Sequence, residues 1–313
     1  MIKEEFYFDS RDGENRIHAV RYTPDDGNVR GIVQIVHGMA EYVERYENLA
    51  EFLTKRGILV TGEDHLGHGK SVAEGGTFGY FCEQDPATVV VRDVHRLKKI
   101  TEEQYPQVPY IILGHSMGSF IARNYLCRYG SGIDGAVIVG TGMQPAGLIF
   151  ASKAMAGIQK LFCGSKHVSH FIDKAAFGGY NKRIDPPRTS SDWLSRNTEN
   201  VDRYIEDELC GFTFTVNGFQ TLFELIRRLQ KQENLEKVPQ NLPILMVSGA
   251  EDPVGDYGKG VHKACDSLKR AGVKNITVKL YENDRHELLN EDDAEVAMED
   301  IWQWICKEIP GIA

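Results

Sequence analysis

Short runs of Val, Ile and Leu recur along this chain, each followed by a segment with apolar residues at helical spacing. That alternation leaves few folds open. Gly31-Ile32-Val33-Gln34-Ile35-Val36, Gly57-Ile58-Leu59-Val60-Thr61, Tyr110-Ile111-Ile112-Leu113 and Ala136-Val137-Ile138-Val139 are nearly continuous apolar runs, the pattern of strands buried on both faces. Between them Tyr46, Leu49, Phe52 and Leu53 share a helical face, as do Val90, Val94, Leu97 and Ile100, and then Phe120, Ile121, Tyr125 and Leu126. The spacing predicts an α/β fold, a mostly parallel sheet with helices on both faces. Ahead of it, Glu5–Phe8 and Ile17–Tyr22 read as paired strands, with Asp12-Gly13 supplying the turn.

The rhythm stops at about residue 143. Helix-like segments follow, among them Ala146–Leu161 and Phe219–Leu235, without a convincing strand. Roughly 95 residues are too many for a plain loop. Alternation resumes with the strand Leu242–Val247, a helix near Gly260–Arg270, the strand Ile276–Leu280, and a last helix carrying Met298, Ile301, Trp302 and Ile305 on one face. The reading is therefore one α/β core built from residues 1–142 and 241–313, interrupted by a helical cap at 143–240.

Charge and cysteine usage narrow the partners. Lys and Arg total 36 against 45 Asp and Glu, a net charge of −9, which disfavours a general nucleic-acid binder. The opening Met1-Ile2-Lys3-Glu4-Glu5 carries acid where a signal peptide needs an apolar core, and no apolar run approaches the ~18–20 residues of a membrane span. The six cysteines form no Cys-x-x-Cys pair and have no metal-ligand spacing. These features predict a cytoplasmic protein with reduced thiols.

The chemistry concentrates in Gly114-His115-Ser116-Met117-Gly118. This is G-x-S-x-G, placed between an apolar strand and a helix as the pattern requires. A serine on so tight a turn needs small neighbours two positions away on either side. The turn presents its hydroxyl at the carboxyl end of the sheet, at a helix N-terminus that favours developing negative charge. A serine hydroxyl needs a base, and the base needs an orienting carboxylate. In such folds they follow in the order Ser, acid, His, in loops after later strands. Asp252, in Gly249-Ala250-Glu251-Asp252-Pro253, and His286, in Asn283-Asp284-Arg285-His286-Glu287, meet that order, with Glu251 and Asp256 as nearby competitors for the acid. The oxyanion donors are expected to be the backbone N–H groups of Met117 and of Met39, in Val36-His37-Gly38-Met39. His37 reads as a packed, hydrogen-bonded histidine behind the site.

These motifs, with Asp64-His65-Leu66-Gly67-His68-Gly69-Lys70-Ser71 and Arg285-His286-Glu287, resemble the monoacylglycerol lipase and lysophospholipase branch of the α/β-hydrolases over nearly the whole chain. Asp192-Trp193-Leu194-Ser195-Arg196 and Leu209-Cys210-Gly211-Phe212 are similar to cap sequences of bacterial relatives. The resemblance implies an eight-stranded sheet under a helical cap, hydrolysis of carboxylic esters of hydrophobic acyl groups, and no cofactor or metal. It carries the nucleophile to Ser116, the acid to Asp252, the base to His286 and the oxyanion N–H groups to Met39 and Met117. It further implies that Glu41 and Arg45 bind the alcohol end of the substrate; the plain alternative is an exposed i,i+4 ion pair worth ~0.3–0.5 kcal/mol. One departure stands out. Leu289 occupies the place of a second histidine found in the mammalian type, and the run Arg285–Glu291 looks more like bacterial lysophospholipase-type hydrolases.

Other motifs lead elsewhere. Gly67-His68-Gly69-Lys70-Ser71 lacks the leading glycine of a phosphate loop, because position 64 is Asp. Asp64, His65 and His68 read as a hydrogen-bonded structural loop in preference to a metal site. The apolar content of the insertion (Leu148, Ile149, Phe150, Met155, Ile158, Leu161, Phe162) is helix packing together with a pocket roof for an acyl chain. The other functions weighed are an aryl esterase, thioesterase or aminopeptidase-like use of the same site, and a non-catalytic binder of a hydrophobic ligand. Peripheral membrane contact through the cap is compatible with hydrolysis.

Overall fold

The computed structural model describes residues 1–312. Eight strands form one sheet: β1 Ile2–Asp9, β2 Arg16–Thr23, β3 Gly31–Val36, β4 Ile58–Glu63, β5 Tyr110–His115, β6 Gly135–Val139, β7 Ile244–Gly249 and β8 Ile276–Tyr281. Their order is β1-β2-β4-β3-β5-β6-β7-β8. β1 pairs antiparallel with β2 and β2 with β4; the remaining pairs are parallel. β3 has β4 on one side and β5 on the other. The chain therefore reverses its direction of travel across the sheet between these strands, and the crevice beyond their carboxyl ends is a topological switch point.

Helices α1 (Glu47–Thr54), α2 (Pro86–Gln104) and α3 (Met117–Tyr129) come before the insertion, which supplies α4 (Ala146–Cys163), α5 (His170–Phe177), α6 (Thr198–Glu206), α7 (Val216–Leu229) and α8 (Gln232–Leu235); α9 (Lys259–Arg270) and α10 (Ala294–Glu308) follow. The two-residue strand period sorts the core onto two faces. Ile32, Ile112, Ile138 and Met246 pack with Val94, Leu97, Phe120, Tyr125, Val261 and Leu268. Val33, Ile35, Leu113, Val137 and Val247 pack with Leu49, Leu53, Ile301 and Ile305 on the other face.

Within the insertion, among the described residues, the only β pairing is an isolated bridge between Val168 and Thr215. The span read from sequence as one helix, Phe219–Leu235, is broken after Leu229. The Asn234 amide donates to the Arg228 carbonyl oxygen at 2.9 Å, satisfying one of the carbonyls a helix end leaves free. The next strand starts at Ile244, two residues later than its hydrophobic run, because Pro243 has no N–H to give the ladder. The insertion is not a uniform layer. α7 packs against α2 and α3 of the core as well as against α4, and Phe219, Leu225 and Leu229 are buried. α4 turns Phe150, Leu161 and Phe162 outward.

Asp93 on α2 is buried and accepts from Ser10 Oγ at 2.7 Å and from the Arg11 N–H at 2.6 Å. Burial pushes its carboxyl up to about 7. Between the ordinary aspartate value of about 4 and about 7 the folded chain holds a proton that the unfolded chain has released, so stability falls as pH rises through that window. Asp93→Asn removes this slope. Urea denaturation at pH 5 and pH 8 should show the variant gaining on wild type by up to about 2.7 kcal/mol across the interval, about two pH units at 1.36 kcal/mol each; parallel pH profiles for the two proteins would contradict the assignment.

Candidate active site

The turn after β5 is held by close approach. Ser116 has φ 54° and ψ −120°, a strained conformation for a residue with a Cβ, costing about 1–3 kcal/mol. A Cβ on Gly114 would lie 2.5 Å from the Gly118 carbonyl oxygen, and one on Gly118 would overlap the carbonyl oxygen of Val36. Both glycines are thus required by backbone contact, one with the turn itself and one with the end of β3. The Ser116 N–H donates to Val139 at 3.0 Å, which ties the turn to β6. Its carbonyl oxygen accepts from the Ser119 N–H at 2.9 Å and from Ser119 Oγ at 2.5 Å.

Asp252 lies three residues beyond β7 and is fully buried. Its Oδ2 accepts from His286 Nδ1 at 2.9 Å and from Ser248 Oγ at 3.2 Å, and its Oδ1 accepts from the Val254 N–H at 2.8 Å. A carboxylate only accepts, so Nδ1 of His286 carries the proton and Nε2 is left as the basic nitrogen. Glu251 and Asp256, the competing acids, are exposed. The structure brings Asp252 and His286 together. It does not join Ser116 to His286 by a hydrogen bond: among the described residues neither Ser116 Oγ nor His286 Nε2 has a hydrogen-bonding partner. The ring of His286 nonetheless lies beside the turn. Its centroid is 4.7 Å from that of His115, and a Cβ on Gly140 would sit 3.1 Å from His286 Cε1.

The loop after β3 passes the serine closely, since a Cβ on Gly38 would be 3.2 Å from Ser116 Cβ. His37 is buried and stacked on His65, with ring centroids 4.0 Å apart. Its Nε2 accepts the His65 N–H at 3.0 Å, so Nδ1 carries the proton and donates to the Gly38 carbonyl oxygen at 2.8 Å. Burial lowers its basicity. In a trans peptide C=O and N–H point opposite ways, so this bond turns the Met39 N–H away from His37. Among the described residues neither the Met39 nor the Met117 N–H donates within the protein. Asp64 is occupied in holding loops: Oδ1 accepts from the Val43 N–H, and Oδ2 from the Lys70 N–H and His18, each at 2.9 Å.

Glu41 and Arg45 do not form the exposed pair of the plain alternative. Both are largely buried, with side chains 4% and 10% exposed. Arg45 donates to Glu41 Oε2 at 2.8 Å and grips Glu287 at 2.7 and 2.8 Å. Burial opposes both charges, but the opposed ions outweigh it: Glu287 and Glu41 hold Arg45 well above its usual range, and Arg45 holds Glu287 below the usual carboxylate range. Glu41 Oε1 accepts from the Gly38 N–H at 2.5 Å and from Tyr46 Oη at 2.8 Å, and lies 3.3 Å from His115 Nδ1. Burial disfavours the Glu41 carboxylate, yet His115 and Arg45 keep it below its ordinary value. Burial also disfavours a charged His115, and the bonded Glu41 raises it nonetheless. His115 Nε2 donates to the His286 carbonyl oxygen at 3.1 Å.

Sequence reasoning did not assign Glu287, His115 or Trp193 a place here. The Trp193 ring centroid is 5.1 Å from that of His286. Its segment is fastened to the histidine loop: the Glu287 N–H donates to Leu194 at 2.7 Å, Arg285 donates to the carbonyl oxygens of Asp192 and Ser195 at 2.7 and 3.1 Å, and Glu291 accepts from Ser195 Oγ at 2.9 Å. On the other side the Gly211 N–H donates to Ala40 at 3.0 Å, and Tyr42 Oη donates to Asp207 at 2.8 Å. The available signal was the juxtaposition of an acid with the histidine, Glu287 after His286. A groove of about 560 Å³ on the insertion, lined by Phe150, Lys153 and Arg227 among others, includes none of the candidate residues.

Comparison with known proteins adds three findings. The family model described as "Hydrolase_4: Serine aminopeptidase, S33" matches residues 27–293. The monoglyceride lipase of Rattus norvegicus is 29% identical over 273 residues, 87% of this chain and 80% of that one, and the monoacylglycerol lipase of Mycolicibacterium smegmatis is 27% identical over 289 residues, 92% of each. Among solved structures, a highly thermostable carboxyl esterase from Bacillus coagulans, in complex with glycerol, superposes with a TM-score of 0.92 at 31% identity over 100% of both chains.

Arg45→Met would leave the Glu41 and Glu287 carboxylates buried without their common cation. Breaking a buried pair costs about 3–5 kcal/mol, to be measured as a loss in urea unfolding free energy. Adding Glu287→Gln should recover part of it. A loss below about 1 kcal/mol, the scale of a surface pair, would show that the network is solvated.

Proposed function

The chain belongs to the Hydrolase_4 family, described as serine aminopeptidase S33, in the monoacylglycerol lipase-like branch of the α/β-hydrolases, and on that footing we propose that Ser116, His286 and Asp252 form the catalytic triad of a lipid-type carboxylic ester hydrolase. The observation that carries the residue assignment is the 2.9 Å bond from His286 Nδ1 to the buried Asp252, made beside a serine held at positive φ on the strand-to-helix turn. In this reading the Ser116 hydroxyl attacks the ester carbonyl while His286 Nε2 takes its proton. A tetrahedral oxyanion forms, and the N–H groups of Met39 and Met117 receive it. The proton then passes from His286 to the leaving alcohol as the ester C–O bond breaks. Water deacylates Ser116 by the same route, with His286 again as base. Asp252 holds the imidazole in one tautomer and stabilises its cation.

The substrate is a single-acyl lipid of the monoacylglycerol or lysophospholipid type, and no cofactor enters the chemistry. Two supports are the relatives' activities and the half-buried rings of Trp193, Tyr180 and Phe177, which run in contact from His286 into the insertion. Residues 143–240 act as the cap, held to the core by residues 192–211 and by α7. The outward Phe150, Leu161 and Phe162 of α4 and Phe171 of α5 are its face toward a lipid surface. Glu41 and Arg45, which the resemblance assigns to the alcohol end, have their hydrogen-bonding capacity engaged inside the protein. No helix is long and apolar enough to cross a membrane among the described residues; a cytoplasmic location belongs to this proposal, supported by the free thiols.

A fluorophosphonate probe should label the wild type and not Ser116→Ala; equal labelling of a folded Ser116→Ala would overturn the nucleophile assignment. Asp252→Asn should retain binding and lose about 10⁴-fold in kcat. A kinetic panel of monoacylglycerols, lysophospholipids, p-nitrophenyl esters and aminoacyl amides decides the substrate class. Preference for the amides would favour the aminopeptidase-like alternative that the family description names.

A further inference from the structure

We propose that Glu41 is a positioning residue for the oxyanion-binding loop, acting through the backbone of Gly38 rather than by contact with substrate. The inference rests on the triad and oxyanion assignments above. Glu41 is 3% exposed, and both its oxygens are occupied. One takes the Gly38 N–H, the Tyr46 hydroxyl and the His115 imidazole; the other takes Arg45. A substrate hydroxyl would have to displace one of these partners, and an unpaired buried donor left behind costs about 1–3 kcal/mol.

What the carboxylate holds is the peptide on the amino side of Gly38. The other end of the same peptide, the His37 carbonyl, is met by His65 Nε2 at 3.3 Å. The following peptide is held by His37 Nδ1 at the Gly38 carbonyl oxygen. Two consecutive peptides are thus fixed by side chains lying behind the loop, and the second one ends in the free Met39 N–H. Gly38 has no side chain to restrict its torsions, so without Glu41 the first peptide keeps only the long bond to His65 and gains freedom to rotate and carry the second with it. The same carboxylate reaches the other two loops of the site. It touches His115, whose Nε2 holds the backbone of His286, and it shares Arg45 with Glu287, the residue after His286. One buried charge therefore sets the spacing of donor loop, nucleophile turn and base loop, and preorganised donors are worth most where their geometry is fixed.

The test compares full-length wild type, Glu41→Ala and the near-isosteric Glu41→Gln with a p-nitrophenyl ester. Inhibition by an acyl trifluoromethyl ketone, which forms a tetrahedral oxyanion on a serine, is measured alongside, and thermal unfolding midpoints are recorded. Glu41→Ala should lose about 10²-fold in kcat, the scale of one oxyanion donor, with KM within about threefold, and should weaken ketone inhibition by a similar factor. Glu41→Gln, whose amide oxygen can still accept the Gly38 N–H, should fall between the two. It also carries the test if Glu41→Ala does not fold. A raised KM with unchanged kcat would assign Glu41 to substrate contact and overturn the proposal. A lowered unfolding midpoint with kcat and ketone affinity unchanged would reduce it to a packing role and also overturn it. Ser116→Ala is run in parallel. Turnover surviving in Ser116→Ala removes the triad reading and this assignment with it; turnover lost there but retained in Glu41→Ala removes this assignment alone.

Discussion

The site depends on how closely the N-terminus of α3 approaches the end of β3. With Gly118 against the Val36 carbonyl and Gly114 against Gly118 itself, the turn between them has room for only one backbone path, and that path puts Ser116 at φ 54°. The strain is local, and the hydrogen bonds of Ser116 to Val139 and Ser119 offset it. The same approach brings the loop after β3 against the serine, so the placing of Ser116 and of the Gly38–Met39 segment beside it follows from one packing contact. The reversal of strand order at β3 and β5 opens the crevice in which they sit.

Around this contact lies a layer of buried charges that engage one another. Arg45 lies between Glu41 and Glu287 and under the ring of Tyr204 from the insertion, 5.0 Å away. Asn200, also from the insertion, donates to Glu287 at 2.6 Å. The insertion is consequently attached to the core on the side of the histidine and oxyanion loops, while its outer helix α4 carries exposed apolar side chains. The insertion thus has a polar, hydrogen-bonded side against the core loops and an apolar outer side on α4.

Local chemistry made much of this legible. The strands of the core read as apolar runs because burial on both faces leaves no polar alternation. The serine turn was legible because its glycines answer a steric demand that lies within five residues. Asp252 and His286 could be chosen because each follows a late strand in the expected order, though the acid became distinct from Glu251 and Asp256 only through burial and its bond to His286. The break between α7 and α8 was hidden, since no glycine or proline marks it; Asn234 caps the Arg228 carbonyl there.

By itself the sequence determined an α/β sheet interrupted by a helical insertion, a serine on a strand-to-helix turn, and the chain order of the candidate acid and base proposed for it. These follow from periodicity and short-range sterics. Only the tertiary structure decided that Glu41 and Arg45 are buried, that Glu287 completes their pair from 242 positions away, and that Trp193 lies on the histidine. The physical reason is that an i,i+4 Glu–Arg pair reads the same whether it faces water or the interior. What separates the two cases is which distant segments cover it, and pairing across such separations leaves no local trace in the chain.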